Sequence, residues 1–392
     1  MIKLDELIQE LCPTGVAYKN LNEVCNISAG GDVPKDTFSK EKTDEYIVPI
    51  ISNGIGQNSF YGYTNTAKIN VPAVTIAARG TIGYAEYRDY PYFPIIRLLS
   101  AFPKDSHKLN AKYLYYCLQG KSYSVPQGGI PQLTMPEVKK VKIPVPPLPV
   151  QREIVRILDN FTELTAELTA ELTARKQQYA YYRDKLLTPR TDYRHGKIID
   201  MLKQPITDGP HTTPELMEDG IPFLSVEAVF DGKIHIEKRR GNITPEFDAE
   251  CCKKYKPQKH DIFMVKSGST TGKVGYVDTD ERFNIWSPLA AMRVNSENSS
   301  RYLFHLLQSK MVQQQVVAKA SHGSQPNLSM RALEQFDVVI PPLDIQLRLA
   351  NVLDNFDALC TNLSSGLPAE IEARQKQYEY YRDKLLSFEE KI

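Results

Sequence analysis

Residues 268–274 read GSTTGKV, glycines and a lysine in an order that invites a phosphate-loop reading. Such a loop needs four residues between its glycines and a Ser or Thr after the lysine, which would reach the magnesium ion. Here three residues separate the glycines and Val274 follows Lys273, so nucleotide binding is not expected. Two simpler readings stay open. One is a plain hairpin turn; the other is a glycine turn that lets the backbone approach a ligand, with Lys266, Ser267 and Lys273 beside it. The seven histidines, from His107 to His322, show neither triad nor metal-ligand spacing. The six cysteines contain no CxxC pair and read as reduced cytoplasmic thiols. The glycine-rich cofactor loop and proline-bearing catalytic loop of a methyltransferase are both missing. No residue pattern argues for catalysis, for a cofactor or for a metal.

Recognition is better supported. Basic residues cluster at Lys139, Lys140 and Lys142, at Lys238–Arg240, and at Lys253, Lys254, Lys256 and Lys259, although such clusters also serve simply as solvated surface. Two loops, QGGIPQL from residue 127 and SQPNLSM from residue 324, carry Gln127, Gln132, Gln325 and Asn327. Amide side chains suit the donor–acceptor edge of adenine, while Asn327 could equally cap the helix that follows. With 48 basic and 47 acidic residues the net charge is only +1, so DNA binding would rest on local patches or on basic partners.

These candidates sit on a scaffold that the chain spells twice. Residues 174–187, ARKQQYAYYRDKLL, and 373–386, ARQKQYEYYRDKLL, agree at eleven of fourteen positions. Upstream, PPLPVQREIVRILDNF is echoed by PPLDIQLRLANVLDNF, YLYYCLQ by YLFHLLQ, PQLTM by PNLSM, and RGTIG by SGSTTG. Four echoes in one order mean two similar halves. Apolar residues at steps of three and four run from Ile154 to Leu186 and from Leu349 to Leu385, which predicts two long helices with a heptad-like seam. The first spans residues 150–187 and contains the tandem TELTAELTAELT; the second is kinked or broken at SSGLP, residues 364–368. The prolines between residues 144 and 149 predict an extended lead-in. Short apolar runs between turns predict strands at YIVPII, AVTIAA, FPIIRLL, IPFLSVEAV, DIFMV and KVGYV, and residues 300–320 read as one helix. The organisation is globule 1–148, helix 149–188, globule 189–342, helix 343–392. Packing explains Tyr182 and Leu186 on the seam, but not the recurrence of the off-seam Arg183, Asp184 and Lys185 as Arg382, Asp383 and Lys384. Identical exposed surface in two places points to one partner type bound twice, with recent duplication as the alternative.

On these motifs the chain resembles the specificity subunit of a type I restriction–modification system, and TAEL followed by YYRDKLL is similar to the subgroup called IC. The resemblance implies an α+β protein. Two target-recognition domains with mixed sheets are separated by two long helices packed as an antiparallel coiled coil, with an internal pseudo-twofold repeat. It implies a non-catalytic reader of double-stranded DNA in which each globule takes half of a bipartite site. The expected partners are two modification subunits, which use S-adenosylmethionine, and two restriction subunits, which use ATP. ITDGPHTTP, KSGSTTGKVG, SQPNLSM and ARGTIG resemble target-recognition motifs. They add His211, Arg79 and Thr81 to Lys266, Ser267, Lys273, Gln325, Asn327, Gln127 and Gln132 as DNA-binding candidates. The helix motif makes Tyr181, Arg183, Asp184, Tyr380, Arg382 and Asp383 the candidate partner contacts. The rival class is a helical scaffold with two protein-binding globules.

Overall fold

The computed structural model describes residues 2–123, 131–188, 192–321, 325–361 and 366–391. The chain divides into two compact units, one of residues 1–167 with 372–392, the other of residues 168–371. The first long helix, Leu148–Leu186, is therefore shared between the units, and so is the second helical segment.

Each unit is built on the same three sheets. In unit 1 an antiparallel sheet has the order Cys25–Ala29, Leu99–Pro103, Ala73–Ile76, Ala85–Arg88. Unit 2 repeats it as Thr207–Asp208, Leu289–Met292, Ile262–Val265, Val274–Tyr276, and adds the hairpin strands Val229–Phe230 and Lys233–Ile234. The central strands Ala73–Ile76 and Ile262–Val265 are buried at every residue, which is why their sequences show no polar alternation beyond the hydrogen-bonded Thr75. A three-stranded sheet in each unit pairs its central strand, Val48–Ile51 or Ile221–Leu224, antiparallel on one side and parallel on the other. A two-stranded ribbon closes each unit: Tyr18–Asn20 with Lys142–Pro144, and Arg194–Lys197 with Asp337–Ile340.

The repeated motifs have packing explanations. Gln151 and Gln346, from the two PPLxxQ stretches, are buried. Gln151 accepts from Asn110 N (2.8 Å) and donates to the Lys108 and Pro146 carbonyls. Gln346 accepts from Ser299 N (2.9 Å) and donates to Asn298 Oδ1 and the Pro341 carbonyl. Each amide so ties the start of a long helix to the residue capping a short one, Ala111–Leu118 or Ser300–Gln308. The LDNF aspartates then grip those short helices. Asp159 accepts from Tyr116 Oη (2.5 Å) and Lys112 Nζ (2.9 Å). Asp354 takes His305 Nε2 (2.6 Å) and Arg301 Nε (2.8 Å), and His305 Nδ1 lies 2.8 Å from Tyr179 Oη. The LDNF phenylalanines stack on the repeated tyrosines: Phe161 on Tyr381 in unit 1 and Phe356 on Tyr182 in unit 2, both with planes 22° apart. LDNF and the YYRDKLL it meets therefore come from different copies of the repeat.

Four expectations change. The first helix begins at Leu148 and accommodates Pro149 in its first turn, where the missing N–H has no partner to lose. The segment from Ser300 breaks at Ser309 into Ser300–Gln308 and Lys310–Lys319, because Ser309 Oγ caps the second piece through Val312 N. The strand at Ile221 stops at Leu224, and Val226–Ala228 is a 3₁₀ turn. The heptad seam is buried at its ends, at Ile154 and Tyr179, whereas Leu164 is 46% exposed. The second helical segment runs Leu343–Thr361 and Leu367–Leu385, with Pro368 in the first turn of the latter, as the SSGLP break requires.

His305 is fully buried, and burial lowers its imidazole pKa below the ordinary 6.5 despite the opposing pull of Asp354. A folded value below the unfolded one means that the unfolded chain takes up the proton first. The stabilisation is complete above 6.5 and is lost as pH falls. His305→Gln should therefore flatten the decline in unit 2 melting temperature as pH falls below 6.5. A decline as steep as in the wild type would show that His305 is not its source.

Candidate DNA interface

In unit 2 the glycine-turn loop and the SQPNLSM loop are hydrogen-bonded together. Gly268 N donates to the Pro326 carbonyl (2.9 Å), Leu328 N to the Lys266 carbonyl (2.7 Å), and Ser267 bridges Asn327. Unit 1 repeats the join, with Leu133 N donating to the Ala78 carbonyl (2.9 Å). Asn327 and Gln325 are exposed. Asn327 is not the helix cap, because Ser329 fills that place by accepting from Ala332 N.

The strand Thr207–Asp208 delivers a buried carboxylate beneath this loop pair. Asp208 Oδ1 lies 2.5 Å from Lys254 Nζ; Oδ2 lies 3.3 Å from Lys266 Nζ and 3.5 Å from His211 Nε2. Ser287 Oγ bonds both Asp208 and His211 Nδ1. Burial would raise the Asp208 carboxyl, but the hydrogen bonds and charges of Lys254 and Lys266 outweigh it and hold the pKa below the ordinary range. Gly209, next in the motif, is obligatory: a Cβ there would lie 1.9 Å from the Ile285 carbonyl oxygen. The structure so gathers His211, Lys266, Ser267, Gln325 and Asn327, but Lys266 is turned inward, its side chain only 13% exposed, while His211 is 75% exposed. Lys273 does not join them. It lines a separate cleft of about 420 Å³ with Lys176, Arg183, Gln313 and Asp357.

In unit 1 Arg79 and Gln132 meet. Arg79 Nε and Nη2 donate to Gln132 Oε1 at 3.2 and 2.8 Å. Thr81 stands apart on the turn capped by its own carbonyl to Tyr84 N, in a cleft lined by Gln119 and Lys121. Gln127 lies outside the described residues. Asp208, Asn53, which donates to the Ile96 carbonyl and accepts from Ala78 N, and Arg97, 3.4 Å from Gln132 Oε1, belong to these clusters and were missed, while Lys254, read only as one of a basic cluster, is held by Asp208. Only Asp208 carried a signal, its place in ITDG.

The expectation of matching exposed surface on the repeated helix ends is corrected for the arginines. Arg183 is 14% exposed, lies 5.3 Å from the Tyr179 ring centroid and bonds Asp184. Asp184 in turn accepts from Lys310 N (2.9 Å). Arg382 is 16% exposed, near the Tyr378 ring and bonded to Asp383. Exposure is kept by Tyr181 (61%), Tyr380 (62%) and Asp383 (71%).

Two globules of one design, joined through shared helices and differing in their polar loops, define a duplicated recognition protein. Residues 13–175 and 210–373 match the family model "Type I restriction modification DNA specificity domain", and the chain belongs to that family. It is 30% identical over 367 residues to the specificity subunit of the type I restriction enzyme EcoR124I/EcoR124II of Escherichia coli, covering 89% of each chain. It is 31% identical over 397 residues to a putative specificity subunit of Haemophilus influenzae, covering 95% of this chain and 96% of that one. Among solved structures it resembles the S subunit from M. genitalium (TM-score 0.55, 15% identity, 95% and 96% covered). It also resembles a chain from a study of assembly and conformational transition in a type I system (TM-score 0.60, 15% identity, 95% and 98% covered). The protein is thus a DNA sequence-specificity subunit and not itself the catalyst, and the protein-binding scaffold gives way to DNA recognition. Among the described residues no helix is long and apolar enough to cross a membrane.

Because Lys266 holds Asp208, Lys266→Met should cost unit 2 about 1.5–3 kcal/mol, the range for a hydrogen bond to a charged group. His211→Ala should stay within about 0.5 kcal/mol of wild type. Denaturant unfolding of the two variants checks this, and equal midpoints would show that Lys266 is not structural.

Proposed function

We propose that each unit reads one half of a split, asymmetric DNA site, and that the long helices pack antiparallel as the spacer between the halves. The carrying observation is one scaffold used twice, with polar loops that differ in charge: lysines on a buried carboxylate in unit 2, guanidiniums on an amide in unit 1. DNA-contact candidates in unit 2 are His211, Ser267, Gln325 and Asn327, with Lys266 supporting them from beneath; Arg79, Thr81 and Gln132 serve unit 1. Two modification subunits dock on the two repeated helix ends, and two restriction subunits complete a cytoplasmic complex. S-adenosylmethionine and ATP belong to those partners. The TAEL tandem supports a place near subgroup IC.

Exchanging residues 1–148 for the matching unit of another specificity subunit should change one half of the methylated site and leave the other as it was. Methylome sequencing reads this directly, and a change in both halves would end the idea of independent reading.

Docking is tested at the exposed tyrosines, since reversing Arg183 or Asp184 would break contacts inside unit 2. Tyr181→Ala or Tyr380→Ala should each lose one modification subunit, and the double variant both. Native mass spectrometry counts them, and two subunits retained on the double variant would move docking elsewhere.

A further inference from the structure

After Phe93–Pro94 the unit 1 chain holds two consecutive non-glycine residues in the left-handed region, Ile96 at φ 52° and Arg97 at φ 58°. L side chains seldom adopt this conformation, and it persists where the surroundings over-determine it. They do so here. Ile96 N donates to the Gly31 carbonyl (2.8 Å) and Arg97 N to that of Gly30 (3.2 Å). Asn53 Nδ2 donates to the Ile96 carbonyl (2.7 Å), while its Oδ1 accepts from Ala78 N (2.7 Å). One amide side chain thus clamps the Arg97 turn to the loop that carries Arg79.

The product of this clamp is two guanidiniums on one neutral atom. Arg97 Nη1 lies 3.4 Å from the same Gln132 Oε1 that Arg79 approaches at 2.8 Å. Among the described residues neither arginine has a carboxylate within ion-pair distance. Unit 2 differs on both counts. Three residues, 286–288, join the corresponding strands where unit 1 has four, 95–98, and none of the three has positive φ. Its lysines are neutralised by Asp208, where the unit 1 strand ends in Ser28 and Ala29. Unit 1 is left with a set of donors: two planar forks, and the amide N–H₂ of Gln132, whose carbonyl is already occupied. Such a set calls for a ligand with paired acceptors. In the major groove guanine O6 and N7 offer such a pair, and arginine is its usual reader. Phosphate oxygens share the chemistry but carry no sequence.

We infer that Arg97 is a specificity-determining residue which, together with Arg79, takes the O6/N7 edge of a guanine in the half-site read by unit 1. This rests on the reading of unit 1 as a half-site reader. Methylome sequencing of cells carrying the full complex with Arg97→Ala or Arg97→Lys tests it. Both variants should accept other bases at one guanine of that half-site, losing a preference of about 5- to 150-fold, with the other half-site unchanged. Lysine should fail like alanine because it lacks the fork. A uniform drop in methylation at unchanged sites would mean a phosphate contact, and an unchanged methylome no contact; either overturns the inference. If the variant complexes do not assemble, the wild-type complex is titrated with duplexes carrying 7-deazaguanine at each guanine of the half-site in turn. Loss of roughly fivefold or more at one position supports the assignment, and no loss at any position overturns it. The parent reading fails separately, when exchange of residues 1–148 leaves both half-sites unchanged.

Discussion

Everything else in this chain depends on one kind of junction, in which the start of one long helix meets the end of the other. The stack of Phe161 on Tyr381 and that of Phe356 on Tyr182 are each built from residues of different repeat copies. The core of unit 1 contains Val150, Ile154 and Leu158 together with Tyr378 and Leu385; that of unit 2 contains Tyr179 and Leu187 together with Ala350 and Leu353. Fully burying a Leu or Ile contributes about 1.5–3 kcal/mol, so neither globule keeps its core without the returning helix. The Tyr378 hydroxyl bonds Gln119 across 259 positions, and the tail pairs back on the N-terminal segment through Val16 and Glu389. Contacts of this separation pay a large loop-closure entropy and form late. Unit 1 is not complete without residues 372–392.

That constraint explains why the helix ends are nearly identical while the globules have diverged. A helix end that must fit the partner half's short helix and phenylalanine has little freedom to vary. Exchangeable junctions also let the loops change without disturbing the core. The recurrence of Arg183 and Asp184 as Arg382 and Asp383 follows partly from the same cause, because both arginines lie folded beside a tyrosine one turn earlier.

The sequence carried the repeat, the two long helical segments, the SSGLP break and most strand positions, because each depends on local pattern: period 3.6, period 2 or a proline. The helix break at Ser309 was not readable, since a serine inside an apolar run gives no sign of whether its hydroxyl caps or faces solvent. Nor were the directions of Lys266 and Lys273, seven residues apart on one loop. One falls to a buried carboxylate delivered by a distant strand, the other to a cleft beside the helix. Asp208 and Arg97 escaped for the same reason. Their roles are set by what the other sheet strands bring to them, and composition treats them as ordinary surface charges.

The near-zero net charge acquires a physical meaning from these clusters. Non-specific affinity for DNA comes from many unpaired cations neutralising phosphates, and it grows as salt falls. Here part of the basic character is already spent inside the fold. Lys254 and Lys266 face Asp208, Arg293 faces Asp261, and Arg301 faces Asp354. Cations held this way contribute little to counterion release, but they fix the loops above them with charge-assisted hydrogen bonds. Base-edge contacts discriminate by leaving donors unpaired on the wrong base. On this reading the bulk attraction to the duplex is shared with the subunits assembled around the chain, and the guanidiniums of Arg79 and Arg97, which meet on Gln132 rather than on a carboxylate, serve recognition.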